Sequence, residues 1–206
     1  MRLLIVADIH DALDNVRSIG GSYDAVIAAG DFTYGSLEAA VRALKTLAHM
    51  APVYFVPGNW DPPQLADYRE GGIYPVHGRV ARLGPYVVGG VGGSLPTPFD
   101  DFFRLSEEEI ESLLARLDPP PHILVTHNPP RGRLDKVGRV RPVGSLAVRR
   151  YIESRRPLLS VHGHIHEDWG VDLLGDTVVV NPGSLASGQY AEAVVGSRVE
   201  VQIRHV

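Results

Sequence analysis

The chain has no cysteine in 206 residues. Disulfides, zinc–thiolate sites, iron–sulfur clusters and cysteine nucleophiles are excluded together. Lysine is scarce: Lys45 and Lys136 are the only two among 20 basic residues. Positive charge is not in surplus either, because 24 acidic residues leave a formal net charge of −4. There is thus no general basic surface to hold nucleic acid, and no strong nucleic-acid signal. A long apolar run is also missing. Residues 2–7 (RLLIVA) are followed at once by Asp8 and His10, far short of the ~20 residues that a membrane-spanning helix needs. No targeting segment is visible, so the expectation is a cytoplasmic protein without membrane attachment. Hydrophobic residues at 44% and charged residues at 21% exclude a disordered, fibrous or coiled-coil chain. The length predicts a single domain over 1–206.

What is present is turn formers, with 22 glycines and 16 prolines, and nine histidines. Short unbroken apolar runs at 2–7, 24–29, 52–56, 121–126 and 157–162 suit strands buried on both faces. Helices are predicted between them at 11–19, 36–49, 106–117 and 144–155. Ser36 is a plausible N-cap, and Ser106 with Glu109 forms a capping-box pattern. The βαβαβ order of the first half predicts parallel strands with helical crossovers. Residues 73–76, 79–83 and 86–91 read as a hairpin and meander. Residues 92–104 and 127–143 read as loops. Strands are predicted at 169–174, 176–180, 190–195 and 199–205, the last alternating as a half-exposed antiparallel strand does. The fold class is α/β, two packed sheets with helices outside.

Polar residues gather where the buried strands end. They are Asp8-Ile9-His10, Gly30-Asp31, Gly58-Asn59-Trp60-Asp61, Thr126-His127-Asn128 and Gly163-His164-Ile165-His166. Each is ordinary alone, since Asp31 and Asn59 could serve turns. Together they fall at the strand ends that converge on one edge of a parallel sheet, where ligands bind. Four histidines, two aspartates and an asparagine carbonyl suit borderline transition metals. They are too many for one such ion. Two ions sharing a carboxylate fit better. Two dications, less two carboxylates and a bridging hydroxide, leave one positive charge, which matches a phosphodiester anion.

The order D-x-H, G-D, G-N-x-D, T-H, G-H-x-H, followed by Asn181-Pro182-Gly183-Ser184, resembles the calcineurin-like metallophosphoesterases, in particular their small single-domain bacterial and archaeal members. The resemblance implies a four-layer αββα sandwich of two mixed sheets flanked by helices. It implies two divalent metal ions, manganese first, with iron, zinc, nickel and magnesium as the other candidates. Asp8, His10 and His166 would bind one ion, Asn59, His127 and His164 the other, and Asp31 both. Asp31, Asn59 and His127 would be catalytic, and a metal-bridging hydroxide would attack a small phosphate ester, phosphodiesters ahead of monoesters. One position departs from the pattern. Where the family commonly has a histidine, this chain has Trp60, which transfers no proton at neutral pH but whose indole N–H can donate a hydrogen bond.

The competing reading is a catalytically weak or inactive metal-binding scaffold for protein interaction, like a eukaryotic retromer subunit of this fold. Against it stands the complete ligand set. A DNA nuclease is disfavoured because such relatives carry extra domains. Trp60, Arg131 and Arg133 are candidate substrate contacts, since arginine can hold a phosphoryl group bidentately. Arg139 and Arg141 lie in the same loop, and a solvated basic loop is the alternative. Asp61 before Pro62-Pro63 is expected to cap a helix rather than act in catalysis. Phe99, Phe102 and Phe103 are expected in the core, with a pocket wall or lid as the alternative. His162 is expected as a supporting or core histidine, and His49, His77, His122 and His205 are assigned no role. Homo-oligomer formation is compatible with the sequence.

Overall fold

The computed structural model describes residues 1–138 and 140–206. The first half runs β1 (Arg2–Val6), α1 (Leu13–Ser18), β2 (Ala25–Ala28), α2 (Leu37–Ala48), β3 (Val53–Phe55), β4 (Ile73–Pro75), β5 (Val80–Leu83) and β6 (Tyr86–Val91). Next come α3 (Glu107–Ala115), β7 (Ile123–Thr126), β8 (Lys136–Val137), β9 (Arg141–Pro142), α4 (Leu146–Arg155) and β10 (Leu159–Val161). The chain ends with β11 (Gly170–Leu174), β12 (Thr177–Asn181), β13 (Gln189–Val195) and β14 (Val199–His205).

Two six-stranded sheets form, in the orders β14-β13-β1-β2-β3-β4 and β11-β12-β10-β7-β6-β5. In each, four neighbouring strands are parallel: β1 to β4 in one, and β6, β7, β10 and β12 in the other. The remaining strands are antiparallel. The sheets face each other across one apolar layer that includes Leu3, Ile5, Ile27, Val125 and Val161. The alternate residues of the same strands, Leu4, Val6, Val26 and Phe55, pack on α1 and α2. On the far side Leu124 and Val179 meet Ile110 and Leu114 of α3 and Val148 and Ile152 of α4. The strand runs are unbroken in hydrophobicity because both faces are covered. This is the four-layer αββα sandwich.

Three helices start at serines. Ser36 accepts from the N–H of Ala39, Ser106 forms the capping box with Glu109, and Ser145 accepts from Val148. Glu107 of α3 also accepts the N–H groups of Leu146 and Ala147, which joins α3 to α4 by a carboxylate at a helix N-terminus. Other expectations need correction. Residues 127–143 contain the β8–β9 hairpin. Residues 73–76 belong to no meander: β4 pairs in parallel with β3, whereas β5 and β6 form a hairpin in the other sheet.

The chain changes sheets at 76–78. Val76 donates to Phe55 in the first sheet, while Gly78 and Gly90 exchange bonds with this segment in the second. His77 Nδ1 accepts the Gly92 N–H at 2.9 Å, so the imidazole must be neutral there. Burial, with the Arg79 charge adding, pulls its pKa down to about 4. The unfolded chain therefore binds more protons between that value and the ordinary ~6.5, so stability is full above ~6.5 and falls as pH drops through about 4. His77→Asn keeps an acceptor without titrating. Its unfolding free energy should fall less than the wild type's between pH 7 and 4, by about 2 kcal/mol. Equal losses of unfolding free energy over that pH range, measured by urea titration, would clear His77 of this role.

Candidate metal centre

Every predicted ligand leaves the C-terminal end of a parallel strand. Asp8 and His10 follow β1, Asp31 follows β2, Asn59 follows β3, His127 follows β7, and His164 and His166 follow β10. The strand ends of both sheets therefore open on the same place. The turns are tight. Of the seven non-glycine residues with positive φ among the described residues, four are Asp8 (+53°), His10 (+45°), Asp31 (+56°) and His164 (+73°). Such conformations cost about 1–3 kcal/mol each and persist where surrounding bonds over-determine them. Those bonds are present. Asp8 N–H donates to Gly30 O at 2.9 Å, His10 N–H to Asp31 O at 3.0 Å, and Gly163 N–H to His127 O at 3.2 Å. Gly30 and Gly58 are needed for the close approach. A Cβ on Gly58 would lie 2.0 Å from Asp31 Oδ1, and one on Gly30 would lie 2.5 Å from Gly58 N.

The side chains meet in two groups, Asp8 with His10 and His166, and Asp31 with His127 and His164. Asp31 joins them. Its Oδ1 accepts the Trp60 N–H at 2.8 Å, while Oδ2 lies 3.3 Å from His127 Nε2 and 3.8 Å from His10 Nε2. His166 Nε2 lies 3.3 Å from Asp8 Oδ1 and 3.4 Å from His10 Nε2. Asn59 Oδ1 stands 2.8 Å from His127 Nε2, and His127 Nδ1 faces the Ala29 carbonyl at 2.7 Å. An Nδ1–H donated to that carbonyl turns a lone pair at Nε2 toward Asn59 and Asp31, as in metal-binding histidines.

Electrostatics give the same picture. Asp8 is fully buried, which raises a carboxyl pKa, yet the His166 hydrogen bond and the imidazole charges around it hold it down at about 2. Burial lowers His127, but the charges of Asp31 and Asp8 outweigh it and lift the pKa to about 9. Burial and the neighbouring His127 press His164 down to about 4. Two carboxylates thus demand positive charge at one point, while nitrogen and oxygen lone pairs converge on it. This donor set fits divalent borderline metals.

A sequence model of the calcineurin-like phosphoesterase superfamily domain matches residues 1–202. The chain belongs to that superfamily. An uncharacterized protein of Methanocaldococcus jannaschii is 29% identical over 191 residues, covering 88% of each chain. Among solved structures, the TT1561 protein of Thermus thermophilus superposes with a TM-score of 0.76 at 20% identity, covering 99% of this chain and 98% of that one. The phosphopantetheinyl hydrolase of Mycobacterium tuberculosis superposes with a TM-score of 0.63 at 18% identity over 89% of each chain. Calcineurin-like phosphoesterases are metal-dependent hydrolases, and the two groups of potential metal-binding side chains accord with that. No helix among the described residues is long and apolar enough to cross a membrane.

The cavity at these residues, about 620 Å³, is lined by His10, Asp31, Asn59, His164 and His166 and by Trp60, Tyr34 and Phe99. Arg131 and Arg133 are not part of its lining. Arg133 donates to Leu173 O at 2.8 Å and lies 3.5 Å from Asp172, which holds it against β11. Arg141, from β9, reaches the cavity instead. Arg139 lies outside the described residues. Phe99 and Phe102 are exposed beside the cavity, not in the core, because the loop that carries them is fixed to Asn59; Phe103 is half-buried against His77. Asp61 caps no helix. It is buried and accepts the N–H groups of Phe32, Thr33 and Gly58, tying the turn after β2 to the turn after β3. Burial and the Asp31 charge push its pKa up to about 8. His162 is buried without joining the ligands, and its Nε2 has no partner among the described residues.

Sequence reading missed the residues that brace the candidate ligands. Asn181 Nδ2 holds the Ile165 carbonyl between His164 and His166, and Ser184 Oγ donates to Asp8 O. This gives the Asn181–Ser184 segment its physical role. Asp101 accepts Asn59 Nδ2 at 2.9 Å and Thr97 Oγ1 at 2.6 Å, and pairs with Arg104. That fixes which end of the Asn59 amide points inward. Its only sequence signal was an acidic pair inside an aromatic loop. Asp101→Ala should weaken divalent-metal affinity about 10–100-fold by calorimetry. Wild-type affinity in that variant would show that Asn59 keeps its orientation unaided.

Proposed function

We propose that this chain hydrolyses phosphate esters, phosphodiesters ahead of monoesters, with two divalent ions of which manganese is the first candidate. Asp8, His10 and His166 would hold one ion, Asn59, His127 and His164 the other, and Asp31 both. The observation that carries this reading is the placement of Asp31 Oδ2 between His10 and His127, one from each group. When bound, the ions supply Lewis acidity toward the phosphoryl oxygens and acidify a water nucleophile. The chain's part is to fix the geometry. The Trp60 N–H orients Asp31, the Ala29 carbonyl orients His127, and Asp101 orients Asn59.

The diester preference rests on what is available to protonate a leaving group. Apart from the ligand set, the titratable residues lining the cavity are Tyr34, Arg141 and Glu167. Burial and nearby carboxylates raise the Tyr34 pKa, so the phenol holds its proton tightly. Position 60 offers no imidazole. A positioned general acid contributes about 10²–10⁴-fold, and substrates that depend on one should suffer most. Purified protein with Mn²⁺ should hydrolyse bis(p-nitrophenyl) phosphate faster than p-nitrophenyl phosphate. Chelation should abolish turnover and Mn²⁺ restore it, and Asp31→Asn should bring it to background. Stoichiometric metal binding without turnover of either ester would sink the proposal and favour a scaffold.

A further inference from the structure

The wall of the cavity is more specific than hydrolysis requires. Tyr34 stacks on candidate ligand His10, with ring centroids 4.5 Å apart and planes 15° apart. Trp60 lies 5.8 Å from Tyr34 at 70°, and Phe99 lies 6.4 Å from Trp60 at 41°. Aromatic rings thus run without interruption from the metal centre outward. None of the contacts to Trp60 is face to face, including Phe102 at 72°. Tyr34 and Phe99 are 58% and 63% exposed. Grouped exposed aromatics in a concave site mark a place for an apolar partner.

The wall is also held in place. Phe102 and Phe103 both donate their N–H to the Asn59 carbonyl, at 2.9 and 3.0 Å, and Asp101 holds the Asn59 side chain. The loop carrying Phe99 is therefore anchored on a candidate metal ligand. An anchored wall loses little conformational freedom when a ring docks on it.

Polar groups beside the wall are already committed. Thr97 Oγ1 donates to Asp101 and accepts from Phe99 N–H. Asn128 Oδ1 accepts from Leu95 N–H, and Nδ2 donates to the Pro129 carbonyl. Leu95, Pro96 and Pro98 complete that side. A polyol would find few free partners there, whereas a flat apolar ring would find several faces.

We propose that Tyr34, Trp60 and Phe99 form a stacking wall that selects phosphate esters whose alcohol part carries a planar aromatic group, an aryl ring or a nucleobase. This rests on the phosphoesterase reading, because the wall begins at His10. Trp60 is the specificity-determining residue. Its backbone N–H serves Asp31 while its indole faces the cavity.

The test is binding of non-hydrolysable phosphonates to the Mn²⁺-loaded protein by calorimetry. Benzylphosphonate should bind about tenfold more tightly than cyclohexylmethylphosphonate, which has similar size but no flat face. Trp60→Ala should remove that difference, costing benzylphosphonate about tenfold more affinity than it costs methylphosphonate, and Trp60→Phe should keep most of the difference. In a Trp169→Phe background Trp60 is the only tryptophan, so its emission should shift with benzylphosphonate and not with methylphosphonate. The non-hydrolysable phosphonate analogue of adenosine 5′-monophosphate, with a methylene in place of the ester oxygen, separates the sources. Binding at least as tight as benzylphosphonate assigns a nucleobase, and weaker binding assigns an aryl ring. Equal affinity for the benzyl and cyclohexylmethyl compounds would overturn the wall while leaving hydrolysis intact. So would an equal loss for all ligands in Trp60→Ala. Failure of methylphosphonate to bind the wild type would overturn the phosphoesterase reading and the wall with it.

Discussion

Two buried carboxylates, Asp8 and Asp31, must be matched by positive charge, and the rest of the site follows from that demand. Both are at most 1% exposed. A buried charge without partners costs several kcal/mol. Backbone N–H groups meet part of the demand: His164 N–H binds Asp8, and Trp60 N–H binds Asp31. The remainder falls on the imidazoles, which explains why His127 and His166 are lifted while His164 and His10 are pressed down. Four rings cannot all be protonated so close together. A divalent cation would resolve the conflict where protons can only divide it.

The fold is the device that brings these groups together. Asp8, Asp31 and Asn59 come from one sheet, and His127, His164 and His166 from the other. Their separation is therefore set by the apolar layer between the sheets, which Ile5, Ile27 and Val161 help to fill. Interiors packed at crystal-like density transmit changes of a single methylene. The Asn181–Ser184 segment adds a polar fastening across the same gap, since Asn181 serves the His164–His166 turn and Ser184 serves Asp8. The backbone strain at Asp8, His10, Asp31 and His164 is held by these fastenings.

Much of this was legible in the sequence because it is locally encoded. A strand covered on both faces reads as an unbroken apolar run, and a candidate ligand at its end reads as a polar outlier after it. That logic located the parallel strands and the seven residues that the structure brings together. What was illegible depends on contacts far apart in the chain. The apolar residues Ile73–Pro75 carry no mark saying which sheet they join. Asp61 before two prolines looks like a cap, and only the approach of Phe32 and Thr33 turns it into a tie between turns. Asp101 gained its place from Asn59, 42 positions away. Charge composition does not reveal which side of a loop faces the cavity, so the sequence does not separate Arg141, which lines it, from Arg131 and Arg133, which do not.

Position 60 shows how one residue can carry two separable roles. Its N–H bond to Asp31 is a backbone contact that any residue except proline can make. The placement of Asp31 therefore makes no demand on the side chain at 60. Asn59 is different, because its amide must present oxygen inward and nitrogen to Asp101. The chain is thus free at 60 to exchange proton transfer for contact area without disturbing the centre beside it. Tryptophan is consistent with such an exchange. It has no proton to give at neutral pH, but it has the largest flat face among the side chains. Its neighbours reinforce that choice: Tyr34 follows Asp31 by three residues, and the anchored loop supplies Phe99. The candidate metal ligands and the residues that shape the wall are adjacent in sequence yet held by different atoms. The wall can therefore vary while the centre stays fixed.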